Sequence, residues 1–333
     1  MTVRPELICP AGTPAALRTA VDAGADAVYC GFRNATNARN FPGLNFTTEE
    51  PGSSIAYAHE RGAKVLLTLN TYPPAGKVDL WREAADTAVA LGIDALIVAD
   101  MGVARYVAER HPGVRLHLSV QAAASSPEAI AYYCEHFGVK RVVLPRILTV
   151  AEIRPIAAAI PCEIETFIFG NHGLMVEGRC SLTNYVTGQS TNLDGVCSPA
   201  SEVEYRKEPD GAVSSCLSGS VIDRFGANEM AGYPTICKGR YRAPHRPDGY
   251  YAFEEPVSLN LARMLPDLIH AGVHAFKIEG RQRSKSYVRS VVSAFRTAID
   301  DVMAGRPANI ADLVALTEGQ KQTQGAFETK KWR

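Results

Sequence analysis

Apolar and polar positions along the chain fall into a unit that recurs. In "AGADAVYCG" (23–31), "LGIDALIVAD" (91–100), "FGVKRVVLPR" (137–146) and "AGVHAFKIEG" (271–280), a helix-like stretch ends at a glycine and a short apolar run follows two or three residues later. Gly24, Gly92, Gly138 and Gly272 stand where a helix closes with a left-handed residue, which glycine supplies without a steric penalty. Interleaved with these units are apolar runs that lack the glycine: "ELIC" (6–9), "KVLLTLN" (64–70), "RLHLSV" (115–120) and "IETFIF" (164–169). Together they predict eight strands. Helical patterns such as "TPAALRTAVDAG" and "LWREAADTAVALG" separate them, and Thr13-Pro14 places a capping hydroxyl before a proline at the first helical position.

Strands alternating with helices of this size predict a parallel sheet, and eight of them favour a closed (β/α)8 barrel over an open doubly wound sheet. The stretch after the first strand, "CPAGTPAA", has one glycine and no G-x-G-x-x-G fingerprint, which also counts against a dinucleotide fold. The expected class is α/β, a TIM-like barrel with a cysteine-bearing insertion after the seventh strand. Residues 1–170 would carry the first seven strands, 171–255 the insertion, 256–305 the closing βα unit, and 306–333 a C-terminal tail. In such a barrel, polar residues just past the strand ends converge on one rim. Asn70, Tyr72, Asp100, Ser119, Gln121, Arg146, Asn171, His172, Glu279 and Arg281 occupy those positions.

Charge narrows the functional classes. Lysine plus arginine equals aspartate plus glutamate at 35 each over 333 residues, so no global attraction to nucleic acid or an anionic membrane is written in, and nucleic acid is not the expected partner. No run reaches the roughly 18 apolar residues of a membrane span, and the expectation is a cytoplasmic protein. Neither H-E-x-x-H nor G-x-S-x-G is present, which disfavours peptidase chemistry.

Of eight cysteines, Cys9, Cys30 and Cys134 lie in apolar strand or helix patterns and read as small core residues. Four others fall in the insertion. Cys180, Cys197 and Cys237 sit in polar, glycine- or proline-flanked surroundings, "EGRC", "DGVCSPA" and "TICKGR", spaced C-x16-C-x39-C. A thiol gains little by packing there, and ligation of zinc or of an iron–sulfur cluster would give it a reason. Lys238, Arg240 and Arg242, in "CKGRYR", could hydrogen-bond cluster sulfurs, hold an anionic substrate, or form a solvated basic turn. Asp210-Gly211 reads as the turn of an exposed hairpin, with Cys216 incidental to it.

The segments "ELICPAGTPAALRTAVDAGADAVYCGF", "TNARNFPGLNF", "LTLNTYP", "MVEGRCSLTNYVTGQS", "GVCSPAS", "VIDRFGANEMAGYPTICKGRY" and "KIEGRQRSKSYV" resemble, in order and spacing over about residues 5–300, the UbiU family of ubiquinone-biosynthesis proteins. That family lies in the superfamily labelled collagenase-like peptidases, class U-32. The resemblance implies a [4Fe-4S] cluster bound by four cysteines and a heterodimer with a UbiV-like protein. It also implies oxygen-independent hydroxylation of the aromatic ring of a ubiquinone precursor, with a UbiT-like lipid carrier. Superfamily relatives hydroxylate RNA bases and are linked to prephenate as an oxygen source, which gives an alternative reading.

Carried over, the resemblance places Cys180, Cys197 and Cys237 on three of the four ligand positions. The fourth position is Gly173, which has no side chain to ligate. Adjacent His172 is the nearest substitute, since imidazole replaces thiolate in some clusters. Cys162, Cys216, an iron without a protein ligand, and a scaffold subunit that has lost its cluster remain alternatives. Glu177, Glu279 and Arg281 are the candidate rim residues for positioning substrate.

Overall fold

The computed structural model describes residues 4–41, 43–173, 180–192, 197–309, 313, 316 and 321–328. The first half of the chain alternates strand and helix without interruption. It runs β1 (Glu6–Pro10), α1 (Pro14–Asp22), β2 (Ala27–Gly31), α2 (Pro51–His59), β3 (Lys64–Leu69), α3 (Asp79–Ala90), β4 (Ala95–Val98), α4 (Met101–Arg110), β5 (Arg115–Leu118), α5 (Pro127–Phe137), β6 (Arg141–Val143), α6 (Val150–Ala159) and β7 (Glu163–Asn171). The insertion follows, with α7 (Ser181–Thr187), β8 (Val203–Lys207), β9 (Val213–Leu217), β10 (Ser220–Phe225), β11 (Arg240–Ala243) and β12 (Arg246–Tyr251). The chain then returns through β13 (Val257–Asn260), α8 (Leu265–His270), β14 (Ala275–Ile278), α9 (Lys285–Met303) and β15 (Lys321–Thr323).

Strands β1 to β7 and β14 pair in parallel, and β14 bonds to both β1 and β7, which closes an eight-stranded barrel. All eight strands predicted from the apolar runs are present. The helices begin where the sequence supplies caps: Thr13, Asp100, Ser126, Thr149 and Ser284 each accept a bond from the first helical turn, and Thr149 with Glu152 forms a capping box. Gly24, Gly92, Gly138 and Gly272 take positive φ at the helix ends, as their place before each strand predicts.

Because strand side chains alternate, each strand sends one set of residues into the lumen and the other into the helical shell. Both sets are largely apolar, which is why these strands read as continuous hydrophobic runs. Ile8, Ala27, Tyr29, Leu66, Ala95, Ile97 and Ala275 pack together inside the barrel. Strand register puts His117, Arg141, Glu165 and Lys277 on that same inner face. Above the base, the lumen is therefore mostly apolar along β1 to β4, and its charged residues come from β5, β6, β7 and β14. Lys277 Nζ lies 2.6 Å from Glu165 Oε1, Arg141 Nη1 lies 3.5 Å from Glu165 Oε2, and Arg141 also pairs with Glu6 and Glu163 at the base.

The insertion builds a three-stranded antiparallel sheet, β8, β9 and β10, and a separate hairpin, β11 with β12. Asp210-Gly211 forms the turn between β8 and β9, with Gly211 at φ +84°. Two elements escape the sequence pattern. Strand β13 pairs antiparallel to the end of β7, and β15 then adds to β13 from the tail, so the sheet extends past the closed barrel. Leu313, Ala326 and Phe327 of the tail are buried. No helix among the described residues is long and apolar enough to cross a membrane.

Candidate functional site at the barrel mouth

The C-terminal ends of the strands carry a compact group of guanidinium groups. Arg281, just past β14, donates through Nη1 to Asn37 Oδ1 at 2.7 Å and to Thr68 Oγ1 at 3.4 Å. Its guanidinium lies 5.6 Å from the centre of the Tyr29 ring. Arg281 is buried, and among the described residues no carboxylate stands within ion-pair distance of it. Burial pulls its pKa down to about 10, with the neighbouring Arg39 charge adding to that and Tyr29 opposing it. Glu279 is held between two other arginines, with Arg146 Nη2 at 2.6 Å from one oxygen and Arg39 Nη2 at 3.3 Å from the other. Arg146 in turn stacks over Phe167 at 3.7 Å. Among the described residues, three arginines thus gather around one glutamate at this rim.

Small residues make the approach possible. A Cβ on Gly12 would sit 2.1 Å from the Arg281 carbonyl oxygen, and a Cβ on Gly31 would sit 2.5 Å from the Asn37 amide and 2.6 Å from Thr68 Oγ1. Any larger residue at either place would push the arginine or its support aside.

A second group lies beside the rim, where the insertion leaves β7. A cleft of about 330 Å³ is lined by Tyr72, Cys180, Ser181, Asn184, Ser190, Thr191 and Asn192. Asn192 pins it to the barrel: its Oδ1 accepts from Tyr72 N at 3.1 Å and its Nδ2 donates to Tyr72 O at 2.9 Å. Cys180 is fixed at both ends, its backbone N–H donating to Thr191 Oγ1 at 3.1 Å and its sulfur accepting from Thr183 Oγ1 at 3.4 Å. Cys237 is anchored by its neighbour. Lys238 is buried, and its Nζ donates to Asn171 Oδ1 at the end of β7 and to the Val257 carbonyl at the start of β13. Cys197 is exposed, with the residue after it held by a bond from Tyr233 Oη to the Ser198 carbonyl.

Cys197 and Cys180 both lie within electrostatic reach of Cys237. Burial first, then the charges of Cys197 and Cys180, push Cys237 up to about 11. Soft sulfur is the donor type an iron–sulfur cluster takes, and a cation bound at Cys237 would reverse that upward shift. Among the described residues no three His, Cys, Asp or Glu side chains stand in an arrangement that would hold a metal ion.

The other candidates fall in varied places. His172 is buried, its Nε2 lies 3.5 Å from Glu254 Oε2, and its Nδ1 has no partner among the described residues. Burial, Arg146 and Lys238 lower its pKa to about 4, so it is neutral near pH 7. Its ring packs against tail residue Gly325. Among the described residues, a Cβ on Gly173 would meet only Asn171 Nδ2, at 3.9 Å. Glu177 lies outside the described residues. Cys216 is buried in β9, and burial pushes the Cys162 thiol well above its usual range, with Cys134 close enough to add to the shift. Asp100 serves as the cap of α4, accepting from Val103 N at 3.0 Å. Arg240 is tied within the insertion to Asp223 and Glu229.

Sequence reasoning passed over Asn37, Arg39 and Thr68, which support the rim, and Thr183, Thr191 and Asn192, which support Cys180. Asn37 and Arg39 lie in "NATNARNFPG", a polar loop without periodicity, and only its length after β2 sets it apart.

A closed α/β barrel with arginines at its C-terminal rim and an insertion bearing three thiols defines the class of this protein. Residues 12–330 match the family described as Peptidase family U32, and the chain belongs to that family. It is 33% identical over 329 residues to tRNA hydroxylation protein P of Escherichia coli, covering 94% of this chain and 72% of that protein. It is 32% identical over 301 residues to tRNA hydroxylation protein P1 of Bacillus subtilis, covering 90% of this chain and 64% of that one. The 23S rRNA 5-hydroxycytidine C2501 synthase of Escherichia coli is 29% identical over 322 residues, which is 96% of this chain and 42% of the synthase. The chain thus spans about two thirds or less of the length of two of these three relatives. The superfamily expected from the motifs is the one found, while these relatives are named for RNA hydroxylation and not for ubiquinone biosynthesis.

Proposed function

We propose that this protein takes part in hydroxylation of an unsaturated ring, with an RNA base as the ring. The observation that carries the reading is the match, over nine tenths of the chain or more, to relatives named as hydroxylation proteins of tRNA and rRNA. The balanced charge that argued against nucleic acid describes the whole surface, whereas the buried Arg281, with no carboxylate within ion-pair distance among the described residues, is a local group of the kind that receives an anion. In this reading Arg281, Arg146 and Arg39 orient an anionic substrate or co-substrate such as prephenate at the mouth.

Cys180, Cys197 and Cys237 would hold a [4Fe-4S] cluster beside that rim, and the cluster would supply one-electron chemistry there. The protein's own part is positional: Asn192 and Lys238 hold two of the thiols against the barrel, and the Asn37–Arg281 contact fixes the cationic floor.

A second reading is favoured by the run of motifs over residues 5–300. It assigns the same chemistry to a ubiquinone precursor, with UbiV-like and UbiT-like partners, in the cytoplasm. Mass spectrometry of nucleosides and of quinones from a deletion strain grown without oxygen separates the two. Loss of a hydroxylated nucleoside with normal quinone supports the RNA base, and the reverse outcome supports the quinone. Normal levels of both would refute the hydroxylase reading. Iron and sulfide counts on protein purified without oxygen test the cluster. Gly173→Cys, which supplies a thiol at the position the family resemblance assigns to the fourth ligand, is expected to slow loss of iron to a chelator.

A further inference from the structure

The cleft beside Cys180 is lined by no acidic or basic side chain. Apart from that one thiol its wall is a phenol, two amides and three hydroxyls, from Tyr72, Asn184, Asn192, Ser181, Ser190 and Thr191. At about 330 Å³ it stands at the small end of ligand sites, which run from roughly 300 to 1,000 Å³. An anion finds no counter-charge there, whereas a neutral planar ring with donors and acceptors on its edge finds partners on several sides.

Tyr72 is held at both ends. Its N–H and carbonyl bond to the Asn192 amide at 3.1 and 2.9 Å, and its hydroxyl donates to the Gln121 carbonyl, just past β5, at 2.6 Å. A ring fixed in this way between the ends of β3 and β5 offers a stacking surface that costs little conformational entropy to use. Asn184 is the opposite case. It is exposed, and its side-chain amide has no hydrogen-bond partner among the described residues, so its carbonyl and its N–H groups are both open to the edge of a ring. Helix α7, which brings Ser181 and Asn184 to the cleft, also reverses the usual order of a globular helix, whose large apolar side chains face inward. Its one buried residue is the polar Thr183, while Leu182 and Tyr185, one turn apart, are 39% and 90% exposed. The Tyr185 ring left in water beside the cleft is a platform on which a second ring can stack.

We infer that this cleft receives the RNA base, stacked on Tyr72 with its edge on Asn184, and that Tyr185 carries the neighbouring base of the same strand, an assignment that rests on the RNA-base reading above and uses no metal. A base enters such a cleft only when it is out of a duplex stack, so the substrate class is a loop or another single-stranded segment.

The test measures, by fluorescence anisotropy, binding of the whole chain to two labelled short RNA strands, one of random sequence and one with the same sugar-phosphate chain but no bases. Both carry the same phosphates, so the difference between them reads the bases alone. The wild type is expected to bind the random strand about tenfold or more tighter than the abasic one. Asn184→Ala should lose about fivefold of that preference and Tyr185→Ala about tenfold, with abasic binding unchanged in both. Both positions are exposed, so neither variant opens the core. The random strand with 4-thiouridine in place of uridine, crosslinked by near-ultraviolet light, should attach within residues 65–77 or 180–206, the tryptic peptides that carry the cleft. Equal binding of the two strands by the wild type, variants that bind as the wild type does, or crosslinks only outside those two peptides would overturn the cleft assignment and leave the RNA-base reading standing. A wild-type protein that binds neither strand removes that reading, and this inference with it.

Discussion

Glu165→Leu in β7 leaves Lys277 as an unpaired ammonium inside the barrel. Both side chains are buried, and they meet at 2.6 Å. With an effective dielectric of about 20, two charges at that distance attract by about 6 kcal/mol, from which the cost of dehydrating both is subtracted. Removing one partner of a buried pair costs about 3–5 kcal/mol, because the other charge remains buried without compensation. Arg141, which also faces Glu165, adds repulsion in the variant. Lys277→Met on the Glu165→Leu background removes that charge and should recover about 2 kcal/mol or more.

The pH dependence of Glu165→Leu follows from Lys277. Burial already lowers the lysine below its ordinary range, with Glu165 opposing the shift, so the variant lowers it further. A base whose folded pKa is depressed costs stability in full below that folded value. The cost shrinks as pH rises toward the unfolded value of about 10.4, since the unfolded lysine then also loses its proton. Urea unfolding followed by circular dichroism should give a large deficit at pH 7 and a smaller one at pH 9.5. A single variant within about 1 kcal/mol of the wild type, or a double variant no better than the single, would refute the reasoning.

Gly31→Ala is expected to fold, at a cost of about 1–3 kcal/mol for overpacking, yet to lose tenfold or more in hydroxylation, because the new methyl displaces Asn37 from Arg281; equal turnover by variant and wild type would sink this. His117, in the lumen, is held neutral by burial and by the charges of Arg141 and Arg115, well below its ordinary 6.5. The unfolded chain therefore takes up a proton there below about pH 6.5 and the folded one does not, so stability falls as pH drops. Unfolding curves from pH 7 to 5 should fall less steeply for His117→Asn than for the wild type, and parallel curves would contradict the assignment.

The barrel was legible because parallel strands covered on both faces are continuous apolar runs, and because Gly24, Gly92, Gly138 and Gly272 mark each helix end. The ionic half of the lumen was not. Lys277 in "AFKIEG" is one charge in a short strand, and sequence alone does not say whether it faces water or Glu165 a hundred residues away. Strand β13 has four residues and β15 three, too few to show a period, and each forms only against a partner far along the chain. At the mouth, the three cysteines stood out by their polar surroundings. Asp100 did not announce that it would cap a helix, and nothing in "CSLT" distinguishes a threonine that faces solvent from one that faces sulfur.

The insertion separates β7 from β14 by about a hundred residues, and the barrel closes only when those two strands meet. The entropy of bringing chain ends together grows only with the logarithm of the loop. Extending a connection from about 30 residues to about 100 therefore adds on the order of 1 kcal/mol to closure. Much of that is offset by the pairing of β13 with β7, which leaves only a short span between β13 and β14 to close. The barrel is thus nearly indifferent to what hangs between its seventh and eighth strands, so this segment can be exchanged or enlarged over evolutionary time, changing what the mouth receives without changing the vessel beneath it.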